Sequence, residues 1–203
     1  MNILCLFASP SPTQSVSRQA AESLIQRLRS QTPGGTVKIR NLADQPPPHW
    51  GAAEVAAAFT PPADRDAAAI SALGLSDALC AELAHADVVV VASPMWNFSV
   101  PSCLKAWIDH VVRVGVTFKY GAQGPIGLLT GLRTVYVVEA TGGTYLEAPA
   151  RELNHVGPYL TQVFRFLGAQ DVVTITAPGT AVNRAEALRH ANAALGVRLP
   201  VQD

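Results

Sequence analysis

Three stretches of this 203-residue chain hold the residue types that could take part in chemistry. Residues 9–17 are rich in serine and threonine hydroxyls, residues 93–101 carry a methionine, a tryptophan and a phenylalanine, and residues 139–145 contain two consecutive glycines. Each stretch follows or ends an apolar run of the kind that forms a buried strand. What the three stretches can do together therefore depends on how those strands are arranged.

The serine-rich stretch, residues 9–17, favours binding of an anion. A helix N-terminus offers N–H donors and a partial positive charge, and clustered hydroxyls add further donors. That combination suits a phosphate monoester. The stretch is neither a P-loop, because GxxxxGK[ST] is absent, nor a Rossmann GxGxxG turn. A polar helix cap without a ligand is the alternative, since serine and threonine are common N-caps.

The aromatic stretch, residues 93–101, places large apolar side chains in a loop after a buried strand. Such side chains are costly to expose unless something flat covers them. A tricyclic isoalloxazine would do so, with loop N–H and C=O groups meeting its polar edge. The alternative is an aromatic plug that packs on a neighbouring irregular segment.

The glycine stretch, residues 139–145, allows the backbone to come close to a planar ligand at Gly142 and Gly143, because neither residue has a Cβ atom. A plain glycine turn explains the same residues. Taken alone, this stretch does not separate the two interpretations.

Strands and helices alternate along the chain. Largely apolar segments predict strands at residues 2–8, 87–92, 133–140 and 171–177, and alternation of apolar and polar residues predicts a fifth strand at residues 36–42. Helical spacing predicts helices at residues 15–30, 75–84 and 101–113, one through Leu160 that Gly168 closes, and one that opens at Asn183. This alternation predicts an α/β domain with a doubly wound parallel sheet, strand order 2-1-3-4-5 and helices on both faces. Ligands of such sheets bind beyond the carboxyl ends of the strands at the switch point, where the three stretches would lie.

Smaller features complete the predicted architecture. Pro101 fits the first turn of the third helix, with Ser99 or Ser102 as its N-cap. Residues 45–74 are irregular, with short helices over the surface, and residues 115–131 form a glycine-rich loop. No Gly/Ser linker interrupts the chain, so residues 1–203 are interpreted as one domain.

Composition excludes several classes of function. With 49% hydrophobic and 15% charged residues, the chain is not predicted to be disordered. Its net charge is zero, so it lacks the excess of basic residues that is typical of proteins that bind nucleic acid or an anionic membrane. The N-terminus lacks the basic region of a signal peptide, and no apolar run approaches the roughly 20 residues that span a bilayer. The three dispersed cysteines are typical of reduced thiols in a cytoplasmic protein, and the five scattered histidines predict no metal site.

Residues 93–109 read Ser-Pro-Met-Trp-Asn-Phe-Ser-Val-Pro-Ser-Cys-Leu-Lys-Ala-Trp-Ile-Asp, and Gly-Val-Thr-Phe-Lys-Tyr follows at 115–120 and Gly-Pro-Ile-Gly-Leu-Leu-Thr-Gly at 124–131. This pattern resembles the FMN-dependent NADH azoreductases and, more widely, the flavodoxin-like NAD(P)H:quinone oxidoreductases. The chain departs from the family pattern at Trp96, where tyrosine is common, and in the loop after the fourth strand, which reads Ala-Thr-Gly-Gly where a polar or basic residue often precedes the glycines.

The resemblance implies a flavodoxin-like fold and a non-covalent FMN site built by the three stretches. Its implied cofactor-binding residues are Ser9, Ser15, Val16 and Ser17 for the phosphate, and Met95, Trp96, Asn97, Phe98, Ala140, Thr141, Gly142 and Gly143 for the isoalloxazine. Phe118 and Tyr120 either wall the substrate pocket or pack the loop that carries them. No catalytic side chain and no metal are implied, because the flavin itself carries the electron chemistry.

The implied activity is ping-pong hydride transfer from NADH or NADPH through FMN to quinones or azo compounds. Family members are homodimers with the flavin near the interface. A flavodoxin-type electron carrier without NAD(P)H oxidation is the alternative, although such carriers are acidic and this chain is neutral. A degenerate, flavin-free interaction domain is a third interpretation.

Overall fold

A computed structural model describes residues 1–11 and 13–198 of the chain; Pro12 of the serine-rich stretch lies outside the described residues. Within that part of the chain, helices follow each strand of the main sheet, with two consecutive α-helices after the second strand and an additional pair of short strands after the fourth helix. The strands are β1 (Asn2–Phe7), β2 (Thr36–Asn41), β3 (Val88–Pro94), β4 (Phe118–Gly121), β5 (Gly124–Gly127), β6 (Thr134–Ala140) and β7 (Asp171–Ala177). The α-helices are α1 (Val16–Gln31), α2 (Ala52–Phe59), α3 (Ala67–Ala84), α4 (Ser102–Val111), α5 (Val156–Leu167) and α6 (Arg184–Arg198).

The main sheet has five parallel strands in the order β2-β1-β3-β6-β7. The strand numbers differ from the predicted order 2-1-3-4-5 because two further strands, β4 and β5, follow β3 in the chain and form a separate antiparallel hairpin. The fourth and fifth predicted strands are therefore β6 and β7. The order reverses direction between β1 and β3, which makes their carboxyl ends the switch point.

Helices cover both faces of the sheet, as the alternation predicts, and bury two separate apolar cores. One core lies under α3, α4 and α5 and contains Trp107 and Phe164, whose ring centroids are 6.3 Å apart. The other core lies under α1 and α6. β3 supplies alternate residues to the two cores, for example Val89 to the first and Val90 to the second, which explains its continuous apolar run.

Three local predictions were wrong. Helix α3 begins at Ala67, well before residue 75, because Asp66 caps it by accepting from the Ala69 N–H. Pro101 itself is the N-cap of α4, and no side chain caps that helix. The glycine-rich loop 115–131 contains the β4–β5 hairpin, whose four-residue strands include glycines and a proline and so give little strand signal.

The irregular segment after β2 is held against α4 by one side-chain pair. Trp50 Nε1 donates to His110 Nδ1 over 3.0 Å, and His110 Nε2 lies 3.0 Å from the carbonyl oxygen of Pro48. Because Nδ1 accepts, Nε2 carries the proton and donates to the Pro48 carbonyl. Both ring nitrogens of the buried His110 are therefore satisfied in one neutral tautomer.

Helix α3 is, by length and composition alone, apolar enough to cross a membrane. One helix of this kind is weak evidence for a membrane-spanning segment, because core helices of soluble proteins can have the same length and composition. Here one side of α3, with Leu73, Leu79 and Leu83, is fully buried in the structure.

Candidate cofactor site

The sheet brings the three predicted stretches to one edge. The Ala8 N–H donates to the Ala92 carbonyl over 2.9 Å, so the end of β1 lies beside the end of β3. Pro94 pairs with Ala140, and the Met95 N–H donates to the Ala140 carbonyl over 2.8 Å. The loops after β1, β3 and β6 are therefore neighbours at the switch point of the sheet.

The loop after β1 ends in the capped N-terminus of α1. Ser15 is the N-cap, and its Oγ accepts from the Arg18 N–H and lies 3.2 Å from Ser17 Oγ. Ser9, Ser15 and Ser17 are all buried, whereas the Val16 side chain packs in the core and can offer a ligand only its backbone. The first N–H groups of a helix have no partner within it. Hydroxyls and N–H groups thus converge where an anion would bind.

The loop after β3 is a tight turn with unusual backbone geometry. Trp96 and Ser99 exchange two backbone hydrogen bonds, and Asn97 and Phe98 between them have φ values of 48° and 70°. Bulky residues rarely adopt this left-handed conformation, and such strain clusters at functional sites. The turn leaves Trp96 49% and Phe98 46% exposed, so neither is the aromatic plug of the alternative interpretation. Met95 instead packs partly on the core.

The loop after β6 is tied to the loop after β7. The Thr180 N–H donates to the Thr141 carbonyl over 2.9 Å, and the Ala181 N–H donates to the Gly142 carbonyl. Ala140 and Thr141 are buried, and the Thr141 N–H and carbonyl are already paired with Ala177 and Thr180, so Gly142 and Gly143 are the more exposed part of this loop. At Gly142 a Cβ atom would meet only Ala181, at 3.8 Å. The supporting role of the loop after β7 was not predicted from the sequence.

These features fit FMN. A monophosphate suits the buried hydroxyls at the start of α1, and a flat apolar ring suits the exposed Trp96 and Phe98. The edge of the ring could reach the exposed backbone at Gly143. The start of α1 is capped by the buried Ser15 hydroxyl, whereas the starts of α4 and α5 have no side-chain cap, so α1 offers the better place for the single phosphate of a mononucleotide.

Phe118 and Tyr120 lie elsewhere in the single chain. Both are on β4, and Phe118 packs on Phe166 near the C-terminal end of α5, with ring centroids 4.7 Å apart. The Phe98 turn meets the other end of that helix, at His155. The two ends are separated by roughly 15 Å at 1.5 Å per residue. Phe118 is buried, whereas Tyr120 is 76% exposed.

Tyr145 was not among the predicted site residues, although it closes the glycine stretch. Its ring packs edge-on against Phe98, with centroids 6.5 Å apart. An aromatic residue two positions after a glycine pair is a signal that could have been used. Tyr145 therefore joins the loop after β6 to the aromatic turn after β3.

No thiol is poised for redox chemistry. Burial raises the pKa of Cys80 to about 11 and also raises the pKa of Cys5 and of Cys103, so all three are protonated at neutral pH. Among residues 1–11 and 13–198 no group of three or more His, Cys, Asp or Glu side chains could hold a metal.

The doubly wound sheet, with its three loops meeting at the switch point, defines a flavodoxin-like α/β protein. Comparison with protein families agrees: a family described as having a flavodoxin-like fold matches residues 1–199. The chain belongs to this family.

Similar proteins carry consistent names. An FMN-dependent NADH:quinone oxidoreductase 1 of Rhizobium etli is 46% identical over 180 residues, covering 89% of this chain and 87% of that protein. An FMN-dependent NADH:quinone oxidoreductase of Aromatoleum aromaticum is 43% identical and covers 96% of this chain and 100% of that protein. The crystal structure of an FMN-dependent NADH-azoreductase from Bacillus anthracis, in complex with FMN, has a TM-score of 0.86 at 26% identity, over 96% of this chain and 95% of that one.

Proposed function

We propose that this protein is an FMN-dependent NADH:quinone oxidoreductase that also reduces azo compounds. The observation that carries the proposal is the meeting of a buried hydroxyl loop, an exposed aromatic turn and a glycine loop at one sheet edge. Relatives at 42–46% identity are named FMN-dependent NADH:quinone oxidoreductases, and a structural neighbour is an azoreductase in complex with FMN.

The chain's own residues bind and orient the cofactor. Ser15, Ser17 and the first N–H groups of α1 hold the phosphate, where the helix dipole favours negative charge. Trp96 and Phe98 supply apolar walls that exclude water, and Gly142 and Gly143 offer backbone groups to the polar end of the ring. Bound FMN supplies the two-electron chemistry, taking a hydride from a nicotinamide and passing the electrons to an acceptor.

We infer a ping-pong order, in which NADH or NADPH and the acceptor use the same open face in turn. The sequence carries no Rossmann fingerprint for a separate nicotinamide site. One pocket then serves both substrates, and the oxidised donor must leave before a quinone or azo compound enters.

We further propose a cytoplasmic homodimer that needs neither nucleic acid nor a membrane. Tyr120 is exposed on a hairpin remote from the three loops of its own chain, which supports a role for it in the site of a second copy. The neutral net charge and the protonated thiols agree with the remaining parts of this proposal.

Steady-state oxidation of NADH tests the proposed function against an electron carrier. We expect the FMN-loaded protein to oxidise NADH rapidly only when a quinone is present. No partner protein should be needed to return the reduced flavin to its oxidised form. A carrier would bind FMN and exchange electrons with reductases, but would leave NADH unoxidised.

The protein is expected to purify with FMN and not with FAD. The start of α1, with its buried hydroxyls, provides for one phosphate, and the starts of α4 and α5 have no side-chain cap that would add a hydroxyl donor for a second one. Chromatography of the cofactor released on denaturation measures this. Release of FAD would contradict the assignment of the loop after β1.

Replacement of Trp96 with alanine is expected to damage turnover and leave the fold intact. Trp96 is half exposed, so its loss should cost less than about 1 kcal/mol of stability, but removal of a stacking surface worth about 1 kcal/mol should lower kcat/KM for quinones about fivefold. Thermal unfolding of the apoprotein and NADH–quinone kinetics measure the two effects.

Trp107→Ala is the matched control, because Trp107 is fully buried in the core. It should cost about 3–5 kcal/mol of stability. A Trp96→Ala protein that loses comparable stability, yet turns over normally per bound flavin, would reject the pocket assignment.

A further inference from the structure

A buried carboxylate lies directly behind the glycine loop. Glu139 is only 3% exposed, and it precedes Ala140 at the end of β6. Its Oε1 accepts from Asn154 Nδ2 and from Thr176 Oγ1, both at 2.9 Å, and its Oε2 accepts from the Gly157 N–H at 3.0 Å. A buried charge is costly unless it is hydrogen-bonded, and here three donors compensate it. The carboxylate therefore joins β6, β7 and the start of α5.

Asn154 is the partner with a second connection. It is 7% exposed, and while Nδ2 donates to Glu139, its Oδ1 accepts from the Val156 N–H at 3.0 Å. The side chain is thus held at both ends, which restricts the backbone on either side of it. The next residue, His155, donates its N–H to the Phe98 carbonyl over 2.9 Å.

The turn that receives this bond is the strained one. Phe98 holds a φ of 70°, a conformation that is unfavourable for a bulky residue and persists only where surrounding contacts enforce it. The two Trp96–Ser99 hydrogen bonds close the turn itself. The His155 bond is the connection that ties the turn to α5, and through Asn154 to Glu139.

We propose that Glu139 and Asn154 are positioning residues that set the spacing between the aromatic turn after β3 and the glycine loop after β6. The proposal rests on the proposed function, because those two loops are the ones assigned to the isoalloxazine. Neither side chain is a catalytic residue; each acts through the backbone of residues 98 and 140–143.

The hydrogen-bond polarity gives a sharp test. In Glu139→Gln, whichever way the amide is oriented, its NH2 group faces either Asn154 Nδ2 or the Gly157 N–H, so one donor opposes another. In Asn154→Asp, two carboxylates face each other. In the double variant, the new amide at position 139 can donate to the new carboxylate at position 154, while the amide oxygen accepts from Gly157. The Thr176 hydroxyl can rotate to accept, so all three hydrogen bonds return, with reversed polarity at positions 154 and 176 and unchanged polarity at Gly157.

The measurement is the Kd of FMN for each apoprotein, from quenching of flavin fluorescence, with the visible spectrum of bound FMN and the kcat and KM for a quinone. We expect each single variant to bind FMN about tenfold more weakly, with a shifted flavin band and a lower kcat, and the double variant to recover most of each loss. Thr176→Val is the control, since it removes a donor to the same carboxylate but has no connection to the aromatic turn. It should lower thermal stability without changing the Kd.

Each possible outcome either supports or overturns the positioning role of Glu139 and Asn154. Single variants that lose stability but keep the wild-type Kd and flavin spectrum would overturn the positioning role, as would a folded double variant that recovers neither. If the single variants do not fold, recovery of folding and FMN affinity in the double variant supports the proposal and a double variant without that affinity overturns it. A wild-type protein that binds no FMN would instead overturn the proposed function, and this inference with it.

Discussion

Replacing Ser17 with aspartate is expected to weaken FMN binding about 100-fold while the domain still folds. Ser17 is 1% exposed and its Oγ lies 3.2 Å from Ser15 Oγ, within the hydroxyl cluster assigned to the phosphate. A carboxylate there would repel a phosphate dianion by roughly 3 kcal/mol in a partly buried site, which corresponds to about 100-fold in Kd. Helix α1 has no acidic residue in its first turn, and one negative charge there is favourable to the helix.

Ser17→Asn is the matched control, because asparagine has the shape of aspartate without its charge. Since Ser17 is buried, both larger side chains must be accommodated, and both should cost similar stability. The difference in Kd between the two variants, measured by fluorescence titration of the apoproteins, isolates the electrostatic term. Equal affinities would place the phosphate away from the start of α1.

Replacing Gly127 with alanine is expected to detach the β4–β5 hairpin from α5. A Cβ atom on Gly127 would lie 2.3 Å from the Leu167 carbonyl carbon and 2.4 Å from the Gly168 nitrogen, so it meets backbone that no side-chain rotation can clear. Gly168 is held in place as the C-cap of α5, where its N–H donates to the Arg165 carbonyl over 3.0 Å. The cost should reach about 3 kcal/mol, or a fall in Tm of roughly 6–12 °C.

FMN affinity should change little in the Gly127→Ala protein, because the three loops meet the other end of α5. Turnover with quinones should fall, since the hairpin carries Tyr120, proposed to serve the site of a second copy. Gly131→Ala is the control, as a Cβ there has nothing within 4 Å; calorimetry should find it within about 0.5 kcal/mol of wild type. Equal Tm values for the two variants would contradict the packing described for the hairpin.

The strands of the main sheet could be predicted because each lies between turn residues and is either a largely apolar segment or, in β2, an alternation of apolar and polar residues. Asp171–Ala177 matches the predicted strand at both ends, and β1 differs from its prediction only at its end, by one residue. The hairpin could not be predicted, because its strands have only four residues and hold Gly121, Gly124, Pro125 and Gly127. Its stability comes from packing on α5, which no local pattern in residues 115–131 records.

The loops of the candidate site could be predicted from their composition and from the switch-point rule, and their meeting at one edge agrees with that expectation. Three features that support them could not. The left-handed Phe98, the Glu139–Asn154 pair and the bonds from Thr180 to Thr141 all depend on contacts between residues distant in sequence. Phe118 is the opposite case. It belongs to a motif typical of the family, and a place in the wall of the substrate pocket was one of its two predicted roles. In the structure it packs on α5, at the end away from the three loops of its own chain.

Anaerobic mixing of the FMN-loaded protein with NADH, without any acceptor, tests most directly whether this chain oxidises NADH through bound FMN. We expect the visible flavin absorbance to bleach at a rate that saturates with NADH concentration and is at least as fast as steady-state turnover. Addition of a quinone, after removal of the nicotinamide, should restore the absorbance. A flavin band that NADH leaves unchanged, or that bleaches only when NADH and quinone are present together, would contradict the proposed function and its ping-pong order.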